Sequence, residues 1–146
     1  MSRIVVGVDG SPGARHALYW AKDEARRRGA TIHVVTAWSE AADPQTPDSA
    51  AYAQRSQLRE VETVLRSMPD SPPLSCSLIE GDPVDVLLDS SHYSDLLVLG
   101  SRELSQASAR SGAVRDECVR RAACPVVVIS APHVSDASRA GAVEDS

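Results

Sequence analysis

The stretch RIVVGVDGSPGARHAL, residues 3–18, changes its period in mid-course. Residues 3–8 are a β-branched apolar run, the pattern of a strand buried on both faces. Asp9, Gly10 and Ser11 interrupt it. Ser11 suits an N-cap, because its hydroxyl accepts from amides of a first helical turn. Pro12 suits the first helical position, where no amide hydrogen is needed. Ala14, Leu18, Ala21 and Ala25 then recur at spacings of four, three and four, which marks one face of a helix. Gly29 stops it. A buried strand that turns directly into an amphipathic helix is half of a βαβ unit.

The rest of the chain repeats that alternation. Residues 31–37, TIHVVTA, read as a second strand, and 38–48 as a loop with Pro44 and Pro47 as breakers. Helical spacing returns over 49–68, with Leu58, Val61, Val64, Leu65 and Met68 on one side. Residues 69–73 break it, and 74–79, LSCSLI, make a weaker strand. Gly81, Asp82 and Pro83 repeat the cap-then-proline device before a short helix with Val84, Leu87 and Leu88. Residues 95–99, DLLVL, are a fourth strand, 112–122 a helix, and 125–129, PVVVI, a fifth strand. The spacing therefore predicts an α/β fold: a single doubly wound parallel sheet with helices on both faces, filling one domain over residues 1–131. The remainder, 132–146, is small, polar and aperiodic, and reads as a disordered tail. Ligands of such sheets bind beyond the carboxyl ends of the strands, where the strand order reverses. The first and fourth strands are the natural pair there, and Asp9 and Gly100 stand at their ends.

Composition narrows the function classes. With 146 residues the chain suits one domain. Aromatics are only 3%, with no Phe, so base-stacking platforms for single strands are disfavoured. The net charge is −5, and the cluster Arg26, Arg27 and Arg28 sits where a helix ends, which suits its dipole. Nucleic acid is not an expected partner. Cys76, Cys118 and Cys124 are odd in number and form no C-x-x-C pair, which argues against a disulfide framework or a zinc knuckle. A reducing cytoplasm fits. No secretory leader and no apolar run of about 20 residues is visible, so a membrane span is not expected.

The phosphate motifs of other families are absent. Glycines 7, 10 and 13 are spaced by three, which fails G-x-G-x-x-G, and no Gly-Lys-Ser/Thr occurs. Nor does G-x-S-x-G. His16, His33, His92 and His133 are scattered, and none has metal-ligand spacing. Cys124 reads as a small buried hydrophobe. Asp9 admits two readings: a carboxylate for a ribose hydroxyl or for Mg²⁺, or a residue that forms the turn and caps the helix. The loop LGSRELSQASARSGAV, residues 99–114, is the other candidate. Amides at a helix start from Gly112 would attract phosphate. Ser105, Ser108 and Ser111 would add hydroxyls, and Arg102 and Arg110 charge. Ser111 also reads as that helix's cap.

Together, IVVGVDGSPGARHALYWA, HVVTAW, GDPVDVLLDSSHYSDLLVLGSR and GAVRDECVRRAACPVVVI resemble the universal stress protein family. The resemblance runs from Arg3 to Ile129. It implies a five-stranded sheet of order 3-2-1-4-5 and a homodimer through the last strand, Val126, Val127, Val128 and Ile129. It also implies an adenine-nucleotide site. That site would take in Val8, Asp9 and Gly10 after the first strand, with Asp9 the point of contact for any Mg²⁺ that accompanies the nucleotide. Val35 and Ala37 match the adenine position. Gly100, Ser101 and Arg102, with Ser111, Gly112, Ala113 and Val114, match the phosphate loop.

Family members that bind ATP carry G-x-x-G, nine residues, then Gly and Ser or Thr. Here Glu103 replaces the second Gly, only residues 104–111 precede Gly112, and Ala113 replaces the hydroxyl residue. Losing one hydroxyl donor costs about 1 kcal/mol, and more when a phosphate is its partner. A summed loss of about 3 kcal/mol weakens a micromolar site roughly a hundredfold. The implied function is a dimeric stress-response regulator with a degenerate ATP or AMP site. A dimeric interaction module that binds no nucleotide is the alternative, and a slow ATP hydrolase using Asp9 and Mg²⁺ the lesser one.

Overall fold

A computed structural model describes residues 2–9, 12–39, 49–67, 70–101 and 109–130. Five strands alternate with four helices: β1 (Arg3–Gly7), α1 (Pro12–Arg28), β2 (Thr31–Trp38), α2 (Ala50–Ser67), β3 (Leu74–Glu80), α3 (Pro83–Ser91), β4 (Leu96–Ser101), α4 (Ala109–Arg121) and β5 (Val126–Ser130). All strand pairs are parallel, in the order β3-β2-β1-β4-β5. Gly7 of the central strand faces Val35 on one side and Leu99 on the other.

Strand alternation divides the core into two layers. Ile4, Val6, Ile32, Val34, Leu96, Val98 and Ile129 pack against Ala14, Leu18 and Ala21 of α1 and Val61 and Val64 of α2. The intervening Val5, Val35, Leu97 and Leu99 pack against Val86 and Leu87 of α3 and Cys118 of α4. Burial on both faces is why β1 and β4 carry unbroken apolar runs.

Local chemistry sets the helix ends. Gly29 takes φ 68°, and the Ala30 amide donates to the Ala25 carbonyl at 2.9 Å, which closes α1 with a Schellman turn. Asp82 caps α3: its Oδ2 accepts from the Val84 amide at 3.0 Å, and Pro83 follows as the first residue. Between helices, Glu60 of α2 is buried and takes the Arg15 guanidinium of α1 at 2.7 Å.

Two expectations change. The fourth helix begins at Ala109 and not at Gly112. Ala109 and Arg110 are good helix formers, so the helix extends back past the glycine that was read as its start. Ser111 is consequently inside α4 and is not its cap. In α2 the buried residues are Ala53, Ser56, Gln57, Glu60, Val61 and Val64, so Leu58 and Leu65 fall beside that stripe and are exposed. The expected tail, 132–146, lies outside the described residues, as do Gly10, Ser11, Arg102, Glu103, Ser105 and Ser108.

Candidate functional site

The carboxyl ends of β1, β2 and β4 lie side by side, and the candidate site residues stand on them. Val8 continues β1 by one residue: it is buried, and its amide donates to the Val35 carbonyl at 3.0 Å. Asp9 follows and is exposed. Chain direction thus brings a buried strand out at an acidic residue, on the rim where a parallel sheet takes ligands. On β2 Val35 is buried and Ala37 half-buried, both on the face covered by α3. On β4 Gly100 pairs with Ile129, and Ser101 with Ser130.

Gly100 has a structural reason that sequence reading missed. A Cβ there would lie 2.2 Å from the backbone carbon of Gly13 and 2.3 Å from its oxygen. The first turn of α1 therefore rests directly on the end of β4. The bare Cα of Gly100 makes that approach possible, and the packing requires Gly100 whether or not a phosphate comes near it.

Of the residues expected at the site, Val8, Asp9, Val35, Ala37, Gly100 and Ser101 fall on this rim. Ser111, Gly112, Ala113 and Val114 lie in the first two turns of α4. Val114 packs against the core layer beneath α3 and α4. The open amides of a helix belong to its first turn, which here starts at Ala109, so Gly112 is past the N-terminal end. Gly10 and Arg102 lie outside the described residues. Among the described residues no group of three His, Cys, Asp or Glu comes together for a metal ion. Asp9 does not make a divalent-cation cage by itself, so a magnesium ion there would have to arrive with phosphate oxygens.

Two other groups sequence reading set aside are defined by the fold. Cys118 is buried beneath α4, and burial pushes its thiol up to about 11, which makes it inert. His33 is held between two serines: its Nδ1 is 2.7 Å from the Ser75 Oγ and its Nε2 is 3.0 Å from the Ser77 Oγ.

The family model for the universal stress protein family matches residues 1–130. The chain belongs to the universal stress protein family. It is 32% identical over 131 residues to the universal stress protein Rv3134c of Mycobacterium tuberculosis, an alignment that covers 86% of this chain and 47% of that protein. The chain spans about half the length of the first curated relatives it matches. Among solved structures, the universal stress protein from Archaeoglobus fulgidus superposes with a TM-score of 0.68 at 23% identity, covering 88% of this chain and 93% of that one. A universal stress protein family protein from Arabidopsis thaliana with AMP bound superposes with a TM-score of 0.66 at 20% identity, covering 97% and 99%. At these identities the two structures speak for the fold. The order 3-2-1-4-5 is the fold of the family, and no helix among the described residues is long and apolar enough to cross a membrane.

Proposed function

We propose that this chain is a regulatory member of the universal stress protein family that binds an adenine nucleotide at the carboxyl rim of β1, β2 and β4, and prefers AMP to ATP. The observation that carries this reading is the convergence of an exposed carboxylate, Asp9 at the end of β1, with the apolar shelf that half-buried Ala37 forms at the end of neighbouring β2, next to buried Val35. A carboxylate suits ribose hydroxyls, and an apolar shelf suits a flat base. AMP is bound in the Arabidopsis neighbour, which supports the choice of base.

The phosphate side is the weak side. Glu103 adds negative charge where binders have glycine, Ala113 supplies no hydroxyl, and the loop is one residue short. A helix starting at Gly112 would turn its first amides toward a phosphate. With α4 beginning at Ala109, Gly112 and Ala113 no longer offer first-turn amides. A magnesium ion would serve only with the extra phosphates, so AMP binding needs none. The domain extends over 1–131, the protein acts in the cytoplasm, and a homodimer through β5 presents the nucleotide-dependent surface to a protein partner.

Calorimetric titration of nucleotide-stripped protein tests the reading. AMP is expected to bind at least tenfold more tightly than Mg-ATP, and Asp9→Ala to weaken AMP. Equal or tighter binding of Mg-ATP would show that the loop finds another phosphate geometry. Silence with both nucleotides would favour the interaction module without a nucleotide.

A further inference from the structure

The polar row on β2 and β3 lies apart from the nucleotide rim, on the sheet face that α3 covers only in part. His33, Ser75 and Ser77 project from that face, in a register that sets His33 beside Ser75 and Val35 beside Ser77. Their neighbours on the same face, Val5, Val35 and Leu97, are buried and apolar. Ser75 is exposed, and Ser77 and His33 are half-buried. The strand that supplies the serines is an edge strand.

We propose that this row is a second, reactive site, in which His33 serves as general base to the Ser75 hydroxyl and Ser75 accepts an acyl group from an activated ester. Three features carry the assignment. First, a neutral imidazole has one lone pair and one N–H, so of two serines bonded to it one donates and the other accepts. Nucleophile, base and a third group that orients the base then stand in one line, at 2.7 and 3.0 Å. Ser75 is the exposed member and thus the nucleophile; Ser77 accepts from the Nε2–H and is a positioning residue. Second, burial, then the nearby positive charge of Arg3, lowers the ring's basicity below that of an ordinary histidine, which favours the neutral form that a base needs.

Third, the backbone supplies a donor. The Ile32 amide donates to the Pro73 carbonyl at 2.9 Å. In a parallel ladder this turns the backbone groups of residues 73, 75 and 77 toward β2, and those of Cys76 outward at the sheet's edge. The amide directly after the nucleophile thus points away from the sheet, where the oxygen of an attacked carbonyl would collect negative charge. In the step itself Ser75 Oγ bonds to the carbonyl carbon and its proton passes to Nδ1. The ester C–O bond then breaks, and the departing alkoxide takes that proton back from the ring. The products are an acyl-serine and an alcohol.

A fluorophosphonate probe, followed by peptide mapping, tests this. Wild-type protein is expected to label at Ser75. The rate should rise with pH as the imidazole loses its proton, with a midpoint below about 6.5. Ser75→Ala should abolish labelling, and His33→Gln should slow it at least a hundredfold. Ser77→Ala should slow it about tenfold and leave the melting temperature nearly unchanged, which separates orientation from folding. Should His33→Gln fail to fold, the wild-type pH profile and Ser77→Ala still decide. Absence of labelling, labelling elsewhere, or a rate that falls as pH rises from 5 to 8 would overturn the proposal.

Discussion

At position 100 a methyl group would have to enter space already filled by the Gly13 carbonyl. The neighbours there are backbone, not a yielding side-chain tip, so the helix itself would have to move. Gly100→Ala is therefore expected to cost about 3 kcal/mol, the upper end for overpacking, read as a lower urea midpoint. An unchanged midpoint would mean that α1 slides freely over β4. The histidines give a second residue-scale prediction. Burial first, then Arg15 for His16 and Arg3 for His33, lowers both rings below the usual imidazole value. The unfolded chain then binds more protons than the native state below pH about 6.5. The stability that the neutral rings contribute is complete above that pH and is lost as pH falls through their lowered native values. Urea midpoints measured at pH 7.5 and 5.5 should fall toward the acid side, and His16→Gln with His33→Gln should flatten the difference.

Among elements, a single α2 side chain bonds to both strands at the sheet edge. Gln57 Nε2 donates to Thr36 Oγ1 at 3.1 Å and to the Ser77 carbonyl at 2.8 Å, so it joins the helix to β2 and β3 together. Gln57→Ala should cost about 2 kcal/mol, because a buried and a part-buried bond are lost at once; chemical denaturation measures it. This element also shows what sequence could convey. The both-face apolar runs of β1 and β4, the Pro12 and Pro83 starts and the Gly29 stop were all legible, because each follows from backbone or burial physics within a few residues. The polar half of α2's buried stripe was not. Gln57 and Glu60 look like solvent residues until Thr36, Ser77 and Arg15 are brought against them from distant parts of the chain, and Ser56 is buried beside them with its hydroxyl unpaired among the described residues. The start of α4 was misplaced for a related reason: Ala109 and Arg110 carry propensity but no periodic apolar anchor, so a glycine looked like the boundary.

For the whole molecule, the order of the strands was readable only through the family resemblance, since alternation alone fixes neither neighbours nor edges. The candidate site was legible as a place, the carboxyl rim, and Asp9 as the acidic residue standing on it. What Gly100 does there was not, because its partner Gly13 is remote in sequence. β5 ends the sheet with a half-buried valine run. A Val128→Lys change should shift a homodimer toward monomer in sedimentation at micromolar concentration, whereas a monomeric wild type would refute pairing through this strand.

The sheet is also graded in how firmly it is held. β1 and β4 lie at its centre, covered above and below, while β3 touches one neighbour and shows much of its surface to water. Backbone amides of the centre should exchange with solvent only when the whole chain unfolds, and those of β3 sooner, through local opening. The Gly13–Gly100 contact belongs to the slow group and the serine row to the fast one. The rim where a nucleotide would sit is thus anchored to the most durable part of the chain, and breathing at the third strand leaves it undisturbed.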